Sequence, residues 1–135
     1  MKATLNQAER LFQKGIKAHR NGSLKTAERH YNGVLKLKQD HADAIHNLGV
    51  IAVAHGKDKL AFTFFKRAKE LKPDSGQYWL SCIKVAAKMG QTDEANEILR
   101  AAEEQGISMD ILSEASSYLQ LPHNPDTSET PARKV

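Results

Sequence analysis

The strongest constraint on this chain is a self-similarity with a period of 34 residues. Moving the sequence along itself by that distance places glycine on glycine, alanine on alanine and large apolar residues on one another. The matched sets are Gly15 and Gly49; Gly22, Gly56 and Gly90; Ala27, Ala61 and Ala95; and Tyr31, Phe65 and Leu99. A fixed period of roughly 20–50 residues is typical of stacked structural repeats. We therefore divide the chain into repeats 8–41, 42–75 and 76–109.

Each repeat has the pattern of two helices joined by a turn. In the second repeat, apolar residues recur at helical spacing before Gly56 and again after it. We expect Asp40 and Asp74 to cap the first helices of the second and third repeats, and Gly106 to end a helix. The sequence therefore predicts an all-α solenoid of three helix pairs.

A further amphipathic stretch follows the third repeat. Apolar residues alternate with serines and acidic residues at about 110–121, which predicts a helix that covers the end of the stack with one apolar face. Residues 122–135 contain almost nothing to bury and are predicted to form a disordered tail or linker. The predicted repeat domain therefore spans residues 1–121.

The second repeat carries a specific family motif. Its motif residues are Ile45, Leu48, Gly49, Ala52, Gly56, Ala61, Phe65, Ala68 and Pro73. In this pattern the chain resembles the tetratricopeptide repeat (TPR) family, although the outer repeats depart from it, with Lys14 in place of leucine and Ile107 in place of proline. The resemblance implies a right-handed α-solenoid whose first helices line a concave groove that binds a peptide or protein.

A narrower resemblance concerns segments 43–50 (DAIHNLGV) and 77–81 (QYWLS) together with Gly106. These look like the N-terminal repeat module of bacterial proteins that carry a glycosyltransferase, sulfotransferase or methyltransferase domain. One alternative function is therefore substrate recognition within a larger transferase. The main expectation is a non-catalytic scaffold for protein–protein interaction.

The family resemblance also implies which residues face the groove. The candidate peptide-binding residues are Phe12, Gln13, Ile16, Arg20, His46, Asn47, Val50, Val53, Leu80, Ser81, Lys84 and Lys88. Gln13, Asn47 and Ser81 occupy equivalent positions in the three repeats and form a polar ladder suited to the backbone of an extended peptide; the alternative is that all three are simply solvated. The apolar candidates are expected to form an exposed patch that marks a partner, unless an N-terminal segment or self-association buries them.

The charges of the candidate groove suggest what it binds. Arg20, Lys84 and Lys88 would attract an acidic segment. Repeat proteins that clamp the acidic C-terminus of heat-shock chaperones require lysines, asparagines and an arginine at five positions, of which only Asn47 is present here. Without the cationic ends, the chaperone carboxylates would have no charge-assisted partners. We therefore predict that chaperone tails are not the ligand.

Charge is distributed unevenly along the chain. The net charge is +4, and the first 41 residues are basic whereas residues 76–135 are acidic. This asymmetry permits head-to-tail self-association between copies.

A second alternative function is nucleic-acid binding by the cations of the first two repeats, but most of them should lie on solvated outer faces. The cations in question are Lys14, Lys17, Arg20, Lys25, Arg29, Lys36, Lys38, Lys66, Arg67, Lys69 and Lys72.

No catalytic or cofactor motif is recognisable. The sequence contains no phosphate-binding loop, HExxH, GxSxG or paired cysteines, and Cys82 is the single cysteine. Asp43 and His46 share a helix face but form an incomplete metal site.

No apolar run approaches the roughly 20 residues of a membrane span, and no secretory signal is evident. We therefore expect a cytoplasmic protein without cofactor or metal that is not an enzyme and does not bind membranes.

Overall fold

The computed structural model describes the backbone of residues 2–120 and the side chains of residues 7–119. Over these residues the chain forms α-helices and no strand. The helices are α1 (Lys2–Arg20), α2 (Leu24–Leu37), α3 (Ala42–Ala54), α4 (Asp58–Leu71), α5 (Gly76–Lys88), α6 (Thr92–Gln105) and α7 (Met109–Gln120). The all-α prediction, the three helix pairs and the additional C-terminal helix are confirmed, and that helix spans Met109–Gln120. The tail predicted at 122–135 lies outside the described residues.

The chain divides into two compact units, Met1–Lys72 and Pro73–Val135, here called unit 1 and unit 2. In unit 1, helix α2 packs against α1 and α3, and α4 packs against α3. In unit 2, the helices α5, α6 and α7 all pack against one another. The predicted single repeat domain over 1–121 stays a prediction.

Two glycines allow the helices of unit 1 to pack closely. A Cβ atom added at Gly15 would lie 2.5 Å from Cε1 of Tyr31, and one added at Gly49 would overlap the ring of Phe65. These contacts explain why the 34-residue period pairs glycine on one helix with an aromatic residue on the next. Because each ring lies directly against the neighbouring backbone, Tyr31 and Phe65 are buried.

Unit 2 has a core of its own around Trp79. The buried residues Trp79, Ala102, Ile107 and Leu112 form one cluster, to which α5, α6 and α7 all contribute. Trp79 Nε1 donates a hydrogen bond of 2.7 Å to the carbonyl oxygen of Pro73, so the polar edge of the indole is satisfied. Cys82 is fully buried, as expected of a structural thiol.

The helix ends agree with the sequence in part. Gly106 ends α6 with a φ of 90°, a left-handed conformation that favours glycine, as predicted. The prediction that Asp40 and Asp74 cap helices is wrong. The N-cap of α3 is His41, whose Nδ1 accepts a hydrogen bond of 3.1 Å from the Ala44 amide, and the N-cap of α5 is Ser75. Each helix therefore begins one residue later than an aspartate cap requires.

Among the described residues, no helix combines the length and hydropathy needed to span a membrane.

Candidate functional site

The hydroxyl group of Tyr31 joins three helices of unit 1. Asn47 Nδ2 on α3 donates to Tyr31 Oη at 3.3 Å, and His19 Nδ1 on α1 lies 3.2 Å from the same oxygen. The Tyr31 side chain is fully buried, whereas its two polar partners are only partly buried. Burial raises the pKa of Tyr31, and the Asn47 hydrogen bond partly opposes this shift. The neutral hydroxyl of Tyr31 therefore brings a polar side chain of α1, His19, close to a polar side chain of α3, Asn47.

Aromatic contacts extend this cluster. The Phe12 ring centroid lies 5.9 Å from that of Tyr31 and 4.7 Å from that of His41. The His46 ring lies 5.0 Å from Phe65. The structure therefore brings Phe12 and Asn47, two of the predicted groove residues, together around Tyr31, and it places His46 against the equivalent ring of the second repeat.

Four of the five residues of the expected exposed apolar patch are only partly accessible. Phe12, Ile16, Val50 and Val53 are partly buried. The large hydrophobic residues that are exposed within the described part of the chain are Leu60 and Met109, neither of which was predicted. The partial burial of Phe12 has a clear cause, because its ring packs against the core cluster of its own unit.

The remaining predicted residues of unit 1 are polar and more accessible. Gln13 is exposed and donates a hydrogen bond of 2.9 Å to Glu9 Oε2, one turn earlier on α1. Arg20 is exposed at the end of α1. Asn47, the second member of the predicted ladder, faces Tyr31 instead of being simply solvated.

The predicted residues on α5 of unit 2 have different environments. Ser81 is partly buried, and Lys84 and Lys88 are exposed. Leu80 is only 2% exposed, so its prediction as a surface residue is wrong. Helix α5 packs against both α6 and α7 within unit 2, and most of its side chains are buried.

The sequence analysis did not recognise two functional candidates among the aromatic residues. Tyr31 was noted only as a member of the periodic set with Phe65 and Leu99, although its hydroxyl, absent from Phe65, signalled a need for polar partners. Tyr118 was also missed, and Lys84 Nζ lies 5.2 Å from its ring centroid. The sequence contained a signal for this contact. Tyr118 follows Lys84 by one repeat period, and α7 continues the helical pattern.

Metal binding finds no support in this part of the chain. In the described residues, no group of three or more His, Cys, Asp or Glu side chains could hold a metal ion. Asp43 instead forms an ion pair with Lys72, in which Asp43 Oδ1 lies 3.4 Å from Lys72 Nζ.

Acidification is expected to weaken unit 1. Burial lowers the pKa of His19, and burial lowers the pKa of His46 against the opposing effects of Asn47 and Asp43. The unfolded chain therefore takes up protons at a higher pH than the folded chain. The free energy of unfolding should fall as the pH drops below about 6.5, the ordinary histidine pKa, and keep falling through the folded-state values. Urea unfolding followed by circular dichroism between about pH 8 and pH 5 measures this slope.

A matched pair of variants isolates these two histidines. Replacing both His19 and His46 with glutamine should flatten the dependence of the free energy of unfolding on pH. His55→Gln, at an exposed position, should leave this dependence unchanged. An unchanged slope in the double variant would show that other groups cause the effect.

Comparisons with known proteins agree with this architecture. No family model matches the chain, and no curated protein matches it. An O-GlcNAc transferase mutant of Thermobaculum terrenum is 27% identical over 76% of this chain and 20% of its own, with a TM-score of 0.68. This chain therefore spans about a fifth of the length of that transferase.

Two smaller solved structures match over nearly their whole length. The Arabidopsis OM64 TPR domain superposes with a TM-score of 0.75, covering 87% of this chain and 97% of its own at 16% identity. The Yersinia enterocolitica type III secretion chaperone SycD, in complex with a peptide of the translocator YopD, has a TM-score of 0.73, covering 83% and 88% at 17% identity. The chain therefore has the tetratricopeptide-repeat fold that its 34-residue motif indicates.

Proposed function

We propose that this chain is a non-catalytic scaffold for protein–protein interaction and that the α1 and α3 residues around Tyr31 bind an extended peptide segment. The observation that carries the proposal is the convergence of Asn47 and His19 on the Tyr31 hydroxyl. A side-chain amide has two N–H donors and a carbonyl acceptor, so the Tyr31 contact leaves Asn47 able to bond a peptide backbone. The fold is shared with SycD, whose structure contains a bound peptide.

The proposed ligand has acidic character. Arg20, which follows His19 on α1, is exposed, so its positive charge would attract an acidic segment to this site. The exclusion of chaperone tails and the cytoplasmic location stay predictions.

Asn47→Ala is expected to weaken peptide binding far more than folding. Peptides selected on the wild-type chain from a displayed random library serve as probes, and their affinities are then measured by calorimetry. Loss of one or two hydrogen bonds to a ligand backbone should raise the dissociation constant about tenfold. The free energy of unfolding should change by no more than about 1 kcal/mol, because the Asn47 hydrogen bond to Tyr31 is long and partly exposed.

Matched variants test where the peptides bind. Arg20→Ala removes an exposed cation next to His19 on α1, and Arg67→Ala removes an exposed cation from α4 of the same unit. Acidic peptides should lose affinity for the Arg20→Ala variant and not for the Arg67→Ala variant. Selected peptides that bind the Asn47→Ala chain as tightly as the wild type would refute the proposed site.

A second candidate function is substrate recognition within a larger transferase. It is favoured by the 27% identity to the Thermobaculum terrenum protein, which this chain matches over a fifth of that protein's length. Sequencing the transcript that encodes this chain would decide the point, because the candidate requires a transferase domain in the same reading frame.

A further inference from the structure

Two helices carry opposite charges at equivalent positions of the repeat. Lys25, Arg29 and Lys36 lie on α2, and Asp93, Glu97 and Glu104 lie two repeat periods later on α6. All six side chains are exposed. Among the described residues, none of the six has an ion-pair partner. Six exposed charges therefore have no ion-pair partner within the described part of the chain, in two groups of opposite sign.

Each group forms one stripe along its helix. The spacing within each group is four and then seven residues, which places the three side chains on one side of an α-helix. The position between the second and third charges is Asn32 on α2 and Arg100 on α6, and both residues are exposed. The three defining charges of each stripe therefore have the same spacing and opposite sign, and Arg100 adds one positive charge to the acidic stripe.

We propose that the basic stripe of α2 binds the acidic stripe of α6 on a second copy of this chain. The partner is inferred from the complementarity itself, because one chain carries both surfaces in the same repeat register. Neither stripe includes the candidate peptide-binding residues on α1, α3 and α5. The contact is heterologous and leaves an unused stripe on each copy, so it can extend to further copies.

The charge pattern also defines the orientation of the contact. When α2 and α6 run in the same direction, Lys25 faces Asp93, Arg29 faces Glu97 and Lys36 faces Glu104. When they run in opposite directions, Arg29 faces Arg100, and the like charges repel. The parallel arrangement is therefore favoured, with Asn32 opposite Arg100.

The surface of α2 has room for the side chains of a partner. A depression of about 470 Å³ follows this helix and is lined by Lys25, Glu28, Arg29, Asn32, Gly33 and Lys36. Gly33 has no side chain to fill it. The carboxylates of α6 can approach the cations of α2 there without displacing residues of the core.

Sedimentation velocity of the full chain over a range of concentrations tests the proposal. Wild-type chain should associate at about 20 mM salt and become monomeric at about 500 mM, because exposed charges are screened. A chain that is monomeric at low salt, or that associates equally at high salt, would overturn the proposal.

Charge reversal identifies the surfaces. Lys25, Arg29 and Lys36 are changed to glutamate in one variant, and Asp93, Glu97 and Glu104 to lysine in another. Each variant alone should associate at least about tenfold more weakly, since three exposed pairs are replaced by repulsive ones. The control changes the exposed residues Lys57, Lys59 and Arg67 to glutamate, which lowers the net charge as much as the α2 variant does and should leave association intact. Equal weakening by the control would overturn the proposal.

Mixing the two variants provides the decisive result. The acidic α2 of the first variant then meets the basic α6 of the second, so an equimolar mixture should regain association. A mixture that stays monomeric would overturn the proposal. So would a wild-type chain that is monomeric yet binds a fluorescent single-stranded oligonucleotide through α2, because the partner would then be a separate polyanion. Circular dichroism confirms that every variant is folded.

Discussion

Replacing Gly49 with alanine is expected to lower the free energy of unfolding by about 2 kcal/mol. The new Cβ would overlap the Phe65 ring, which is buried and cannot move aside without disturbing the core. This overpacking exceeds the roughly 0.5–1 kcal/mol that alanine normally gains over glycine inside a helix. Urea unfolding monitored by far-ultraviolet circular dichroism measures the change.

Gly33→Ala is the matched control, with an effect of opposite sign. A Cβ at this position on α2 would lie 3.3 Å from Leu11 Cδ1, the end of a flexible and partly buried side chain. Leu11 can adjust, so the helix-propensity gain should remain and the free energy of unfolding should rise by up to about 1 kcal/mol. If both substitutions changed the free energy of unfolding in the same direction, packing of the Phe65 ring would not be the reason why residue 49 is glycine.

Removing α7 is expected to destabilise unit 2 by about 3 kcal/mol or more. A chain of residues 1–108 lacks Leu112 and Ala115, which are buried, and it exposes the cluster around Trp79. A chain of residues 1–120 retains α7 and is the matched control. Because Trp79 is the one tryptophan and lies in unit 2, its fluorescence during urea unfolding reports on that unit.

The two chains should differ in midpoint and also in association. The Trp79 transition of 1–108 should occur at a clearly lower urea concentration than that of 1–120. The exposed apolar surface should also promote association at about 500 mM salt, where contacts between charged stripes are screened. Identical Trp79 transitions would show that α7 does not stabilise unit 2.

The helix pairs were predictable because close packing imposes residue types at a fixed period. A glycine opposite an aromatic ring, as in Gly15 with Tyr31, leaves a pattern that is visible without a structure. The turn before α4 was equally predictable from the glycine at position 56. Gly56 has a φ of 75°, which other residues rarely adopt. Both features depend on local sequence and on its repetition.

Features that depend on contacts between particular side chains were predicted less well. Leu80 occupies a position that the family motif places in the groove, yet it is buried on a helix that packs against both α6 and α7. His41 was not recognised as a cap, because capping by a ring nitrogen depends on the orientation of the imidazole. The interaction of Asn47 with Tyr31 joins different repeats and leaves no periodic signal.

The Tyr31 hydroxyl is also one of the features that distinguish two repeats with the same glycine–aromatic packing. Repeats that pack alike carry a risk of misfolding in which one helix takes the place of its counterpart or exchanges with a neighbouring molecule. If α4 occupied the position of α2, Phe65 would bring no oxygen to His19 and Asn47, and their polar contacts would be lost. Because His19 and Asn47 are only partly buried, the loss of each contact costs about 1 kcal/mol or less. A single oxygen atom therefore helps to specify which segment of the chain completes the first repeat.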